Sequence, residues 1–210
     1  MERILEAVKK AKENSRQRKF IQSWDFCIGL KNIDLKKPEN RFSADVPLPE
    51  GTGRDIKVAL FADTTSEEAK KKVDRLITKA EIESMAGNKK SIKKLADQYD
   101  WFFGEITLMT LIGKTLGLVL GPKGKMPKPI PPKASIESIV ARARKSVMVG
   151  LKSSPCIQVT VGTEKLTDEQ VAKNIMAVYS VVKEKLPKGL HSIKSLHIKT
   201  TMGKPVKFQV

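Results

Sequence analysis

Aromatic side chains, cysteine and histidine are all scarce in this sequence. Aromatics make up 5% of its 210 residues, with two cysteines and two histidines. Cys27 and Cys156 form no CxxC and have no His/Cys cluster around them, which excludes a zinc site and a disulfide framework. Both lie in apolar, strand-like runs and read as buried free thiols. His191 and His197 stand near each other in the last strand region, with no HExxH, no nucleophile elbow and no paired metal ligands. No metal is expected. No uncharged apolar stretch approaches the roughly 20 residues needed to cross a bilayer. The first twenty residues are charged throughout and contain no apolar signal core, so a reducing cytoplasm is the expected setting and no membrane is a partner. Glycine-rich phosphate loops are missing too. "LGPKGKMPKP" has Val119 where a P-loop needs its first glycine and Met126 where it needs Ser or Thr. "FADTTSEE" after the first α/β strand has no glycine to admit a pyrophosphate. No catalytic residue and no cofactor is expected. A nucleotide-cofactor enzyme is the alternative, and the absent glycine turn argues against it.

What the chain has in excess is positive charge: a formal net charge of +17 and a pI near 9.9. Self-repulsion of that size calls for an anionic partner, and nucleic acid leads over lipid or a merely soluble surface. The apolar share, 40%, is enough for an ordinary core built mainly from aliphatic side chains.

Two styles of patterning alternate along the chain. Ile4, Leu5, Val8 and Ala11 recur at helical spacing over 2–13. From Phe20 the period becomes two, with Trp24, Phe26, Ile28 and Leu30 alternating against Ser23, Asp25, Cys27 and Gly29. "KNIDLKKPEN" reads as a loop, Arg41–Leu48 as a strand and "PEGTGRD" (49–55) as a hinge. "KVALFAD" is a continuous apolar run leading to the capping box Thr65-Ser66-Glu67-Glu68. A strand buried on both faces and followed by a capped helix belongs to a parallel α/β unit. Residues 99–106 and 146–151 read as further strands, with helices near 88–97 and 134–144. After Pro155 one-sided alternation returns in Ile157, Val159 and Val161. Thr167 and Gln170 make a second capping box, opening a helix striped by Val171, Ile175, Val178 and Val182. Leu196 and Ile198 then alternate with Ser195, His197 and Lys199, and Val206, Phe208 and Val210 with Lys207 and Gln209. The shared style of the two ends implies a discontinuous domain of 1–55 and 151–210, with an α/β domain of 56–150 inserted. Both parts are basic, +9 and +8.

No acidic side chain follows Glu184, whereas Lys185, Lys188, Lys194, Lys199, Lys204 and Lys207 all do. A solvated edge strand guarded by lysines would look the same on charge alone. "KTTMGK" favours RNA. Thr200 and Thr201 offer hydroxyls that can both donate to and accept from a ribose 2′-OH. Gly203 lets backbone approach a sugar closely, Met202 supplies an adaptable apolar contact, and Lys199 and Lys204 flank the set for phosphates. The same glycine would also serve a β-turn. Near the first strand, Arg18 and Lys19 precede Phe20, whose parity places it either in the core or at the sheet's end against a nucleotide. Ser23 and Asp25 fall on the polar face. "NKKSIKKLADQ" (88–98) reads as a solvated basic helix face. "GPKGKMPKPIPPK" (121–133) reads as a stiff basic loop, its Gly121, Lys123, Gly124, Lys125 and Lys128 suited to a secondary RNA contact.

"RKFIQSWD", "KKPENR", "LGPKGKMPKP" and "KTTMGKP" together resemble the universal large-subunit ribosomal protein family of the mobile stalk beside the tRNA exit site, the family numbered first in that subunit. The resemblance spans about Arg16 to Lys207, and "KKPENR" is similar to the archaeal branch. It implies a split β-α-β antiparallel sandwich made from both termini, with an inserted three-layer Rossmann-like α/β domain. It implies binding to large-subunit rRNA within the cytoplasmic ribosome, assistance to the release of deacylated exit-site tRNA, and repression of translation by binding the protein's own mRNA. The free protein is expected to be a monomer. By the same resemblance the RNA contacts fall on Lys19, Phe20, Ser23 and Asp25 and on Ser195, Thr201, Met202 and Gly203. Gln158 stands at a contact position of variable residue type, and His197 completes the set. By the resemblance a carboxylate or threonine is often found around the first cluster, from which Gln22 and Ser23 are mild departures.

Overall fold

The computed structural model describes residues 1–63, 73–131, 135–186 and 189–209, apart from the side chains of Pro38 and Leu190. It divides into two compact units, Met1–Arg54 with Lys145–Val210, and Asp55–Arg144.

The first unit contains helix α1 (Glu2–Glu13), strands β1 (Ser23–Leu30) and β2 (Phe42–Pro47), and then β7 (Ser146–Leu151) and β8 (Cys156–Thr163) after the second unit. Helix α7 (Asp168–Lys185) and strands β9 (Ile193–Thr200) and β10 (Val206–Phe208) complete it. Strands β10, β9, β1 and β8 hydrogen-bond in that order into one antiparallel sheet, and β2 pairs with β7 in a separate ribbon. The period-two pattern decides which face is covered. Trp24, Phe26, Ile28 and Leu30 point inward with Ile157, Val159, Leu196 and Ile198. Ile4, Val8 and Ala11 of α1 and Val171, Ile175, Val178 and Val182 of α7 close over them. Phe208 adds a stacked ring on Phe26, centroids 5.9 Å apart. The capping box of α7 is present in both directions: Gln170 N–H donates to Thr167 Oγ1 at 3.4 Å and Thr167 N–H to Gln170 Oε1 at 3.0 Å.

The expected insert of 56–150 takes in most of the strand at 146–151. That strand instead pairs with β2 from Phe42↔Leu151 to Pro47↔Ser146 and belongs to the first unit. The segment 49–55 is not a loose hinge over Glu50–Gly53. Asn174, fully buried on α7, donates to Gly51 O and Val161 O at 2.8 Å each and accepts from Glu50 N–H at 3.2 Å. Gly53 takes φ +67° with Thr163 packed so close that a Cβ would lie 2.5 Å from its hydroxyl.

In the second unit β3 (Val58–Phe61), β4 (Arg75–Ile77), β5 (Trp101–Glu105) and β6 (Lys128–Ile130) form a parallel sheet ordered β4-β3-β5-β6. All four β3 residues are buried, Val58 and Leu60 into one layer and Ala59 and Phe61 into the other. The second of these layers is filled from α2 (Lys79–Met85), α3 (Lys89–Gln98), α4 (Ile106–Thr115) and α5 (Gly117–Lys123), the first from α6 (Ile136–Arg144). The capping box read at Thr65–Glu68 lies outside the described residues.

Candidate nucleic-acid interface

With the apolar parity of the first unit's sheet turned to the helices, the opposite parity is left outward. Asp25 and Cys27 of β1 stand between Thr160 and Gln158 of β8 on one side and Lys199 and His197 of β9 on the other, register partners in each case. Gly29 faces Ser195, whose hydroxyl occupies the space a Cβ would take, 2.8 Å away. Lys207 of β10 extends the row beyond His197. Asp25, Cys27, Gln158, Thr160 and Lys199 together line a depression of about 310 Å³. Asp25 holds its neighbours in place: it accepts from the Thr160 hydroxyl at 3.1 Å and lies 3.9 Å from Lys199 Nζ. Lys199 Nζ also donates to Thr201 O at 3.2 Å. The Cys27 thiol is pushed up from its ordinary value, first by burial, then by Cys156 and Asp25, with Lys199 opposing. Cys27 and Cys156 are half-buried on this face and not in the core expected for them.

The sheet's end carries the second half of the cluster. Where β9 leaves β1, Thr201 N–H donates to Ser23 O and Ser23 N–H donates to Thr201 Oγ1, both at 3.0 Å. The threonine hydroxyl therefore takes the place of the next ladder carbonyl. Gly203 N–H closes the turn on Thr200 O at 3.0 Å. Met202 projects from that turn 60% exposed, and Phe20, two residues before Gln22, is 51% exposed. Of the two parities open to Phe20, the sheet's-end position is the one observed, because β1 begins only at Ser23. Lys19 and Lys204 are exposed on the two segments.

Thr200 differs from expectation. It continues the inward parity of Leu196 and Ile198, is 1% exposed, and donates its hydroxyl to Ser15 Oγ at 2.8 Å. It holds the turn from below and presents nothing to a ligand. Gly203 likewise serves the interior, since a Cβ there would lie 2.3 Å from Thr200 Oγ1. Sequence reasoning also overlooked exposed Ile21, at 54%, and Thr160. For Thr160 the signal was available in the alternation of β8.

The candidate secondary contact at 121–128 is in the other unit, and its lysines are engaged. Gly121 and Lys123 belong to α5, and Gly124, at φ +69°, is its left-handed C-cap. Lys123 pairs with Asp97, and its hydrogen bond holds that exposed carboxyl below the usual range. Lys125 Nζ caps the end of α3 through Ala96 O and Tyr99 O at 2.8 and 2.7 Å. Lys128 Nζ sits 4.0 Å over the Trp101 ring. These residues build a helix end and a strand, where a stiff basic loop is expected from the sequence.

Among the described residues no group of His, Cys, Asp or Glu could hold a metal ion. Among the same residues no helix is long and apolar enough to cross a membrane.

Comparison with known proteins places the chain in a family. The Ribosomal protein L1p/L10e family matches residues 8–204. The chain is similar to Large ribosomal subunit protein uL1 of Methanothermobacter thermautotrophicus, 46% identical over 206 residues and 97% of each chain. It is 44% identical to the protein of the same name from Methanocaldococcus jannaschii, over 98% of this chain and 94% of the other. The Pyrococcus horikoshii protein is also 44% identical, over 99% and 96%. These relatives carry the name of a ribosomal component and not of an enzyme. The chain belongs to the Ribosomal protein L1p/L10e family.

Proposed function

We propose that this chain is a structural constituent of the large ribosomal subunit that binds large-subunit rRNA through the outward face of the β10-β9-β1-β8 sheet. The observation that carries this reading is the joining of the two ends of the sequence into one exposed surface. Ser23, Asp25, Gln158, Thr160, Ser195, His197 and Lys199 lie across it, and the Thr201–Gly203 turn and Phe20 stand at its end. Hydroxyls, amides and an imidazole with few acids suit ribose and phosphate, and an exposed methionine and phenylalanine suit the faces of unstacked bases. Recognition would rest on the shape and sugars of a folded RNA, with few base edges read.

Within the ribosome the protein would form the mobile stalk that assists release of deacylated tRNA from the exit site, and it would repress translation by binding its own mRNA on the same face. The first unit would be the family's split β-α-β sandwich and the second its three-layer Rossmann-like domain. Thr201→Val and Met202→Asp are expected to weaken binding to large-subunit rRNA by more than tenfold in a filter assay while leaving the melting temperature within a few degrees. Unchanged affinity in both variants would remove the assignment of the face. Co-sedimentation with large subunits separates a ribosomal constituent from a protein whose main task is mRNA.

A further inference from the structure

Beneath the Thr201–Gly203 turn lies one buried amide, Gln22, 1% exposed. Its Oε1 accepts from Met202 N–H at 3.1 Å. Its Nε2 faces Ser15 Oγ at 3.1 Å, Arg16 O at 3.2 Å and Glu164 Oε1 at 3.0 Å. The Gln22 backbone N–H donates to Glu164 Oε2 at 3.0 Å, and Glu164 N–H donates back to Gln22 O at 3.0 Å. Ser15 Oγ also accepts from Thr200. One carboxylate thus grips both N–H donors of Gln22, and Gln22 in turn fixes the amide of Met202. The chain of contacts spans the segment after α1, the start of β1, the loop between β8 and α7, and the β9–β10 turn.

An exposed acid at the margin of a face made for an anion is out of place electrostatically. Glu164 is such an acid, and by charge alone its removal should tighten RNA binding. We propose that Gln22 and Glu164 are positioning residues for RNA recognition, holding Met202 and Thr201 in their binding arrangement before the ligand arrives. This rests on the reading of the face as an rRNA site. Pre-ordering matters there because a turn that must be ordered on binding costs affinity. An amide is the side chain that position 22 can use in both contacts. A carboxylate would have no hydrogen to give Glu164, whereas an amide donates to Glu164 and accepts from Met202 at once.

The test compares wild type with Glu164→Ala, which removes the carboxylate at an exposed position, and with Gln22→Met, which keeps the volume. Each is titrated with large-subunit rRNA from the source organism and with poly(A)·poly(U) over a range of salt. Glu164→Ala is expected to bind rRNA at least threefold more weakly in spite of gaining a unit of positive charge, and Gln22→Met at least tenfold. Affinity for the duplex should stay level or rise, and the salt slope on rRNA should not change, since no phosphate contact is lost. Equal or tighter rRNA binding by Glu164→Ala would overturn the proposal. Should wild type itself fail to prefer rRNA, the rRNA reading falls and not the clamp. The clamp is then decided by exchange of the Met202 amide hydrogen, which both variants should accelerate and which an idle Gln22 would leave unmoved.

Discussion

Gly203 offers a sharp test of how the turn is built. Its φ is not in the left-handed region, so alanine is allowed by the backbone and any penalty must come from space. That space is missing: a Cβ would fall 2.3 Å from Thr200 Oγ1 and 3.5 Å from Thr200 Cβ and N. In Gly203→Ala one of two things must give. If the Thr200 hydroxyl swings away, it loses its 2.8 Å bond to Ser15 in a buried place, and threonine resists rotation at χ1. Stranding such a group costs about 1–3 kcal/mol. If the turn opens instead, the 3.0 Å bond from Gly203 N–H to Thr200 O goes, at about 1 kcal/mol, and Met202 moves with it. The two routes bracket the loss at about 1–3 kcal/mol of stability in the first unit. Thr200→Ala removes the obstructing atom, so in that background Gly203→Ala should cost less than about 0.5 kcal/mol and can even stabilise by restricting the unfolded chain. Urea denaturation of the two single variants and the double variant measures a coupling of about 1.5–2 kcal/mol. The same penalty in both backgrounds would refute the steric argument. Full stability of Gly203→Ala combined with lost rRNA binding would mean that the glycine is kept for the ligand and not for Thr200.

Three further outcomes follow from the same geometry. Lys204→Met, at an exposed lysine beside the turn, should weaken binding to all RNAs alike and reduce the salt slope by about 1. Cys27, its thiol raised by burial, should alkylate slowly near neutral pH, with a rate still climbing above the ordinary thiol range; mass spectrometry over stepped pH would show it. Bound rRNA should slow that reaction further, because Cys27 lies on the outward face between Gln158 and His197. Asn174→Ala should destabilise the first unit by about 2–4 kcal/mol, since Gly51 O and Val161 O would be left buried without their donor. A change in denaturation midpoint equivalent to less than about 1 kcal/mol would count against that role.

The elements that were legible in the sequence are those whose evidence is local. Alternation in Trp24–Leu30, Ile157–Val161 and Leu196–Ile198 identified three strands and the face each covers, because a one-residue slip would turn every apolar side chain outward. Thr167 and Gln170 announced α7 with a pattern four residues long. Strands β4 and β6, of three residues each, are too short to show a period. Helices α4 and α5 were missed although Leu108, Ile112, Leu116 and Leu120 recur every fourth residue, a stripe that points into the core of the second unit. Strand β7 was assigned to the wrong unit because an apolar run states that a strand is buried but not which partner it pairs with.

The candidate site divides along the same line. Residues proposed to touch a ligand stand at outward parities or in the turn; chain chemistry and period point to Ser23, Asp25, Lys199, Thr201 and Met202, and the family resemblance adds Gln158 and Ser195. Thr200 was the error that parity itself could have prevented, since it is the next inward position after Ile198. Residues that support the site were invisible for a different reason. Gln22 meets Glu164 across 142 positions and Met202 across 180, and nothing in either neighbourhood of the sequence marks the encounter. A glutamine just before a strand and an acid just after one are ordinary separately. Their meaning arises only when the sheet order β9-β1-β8 places both against one turn. That order also accounts for carboxylates persisting on so basic a surface. Asp25 is bound to Thr160 and placed near Lys199, and Glu164 is bound to Gln22, so each acid spends its charge on aligning a neighbour. A face assembled solely from free cations would attract any polyanion; acids that fix hydroxyls, amides and one lysine in place are what would let it prefer a particular one.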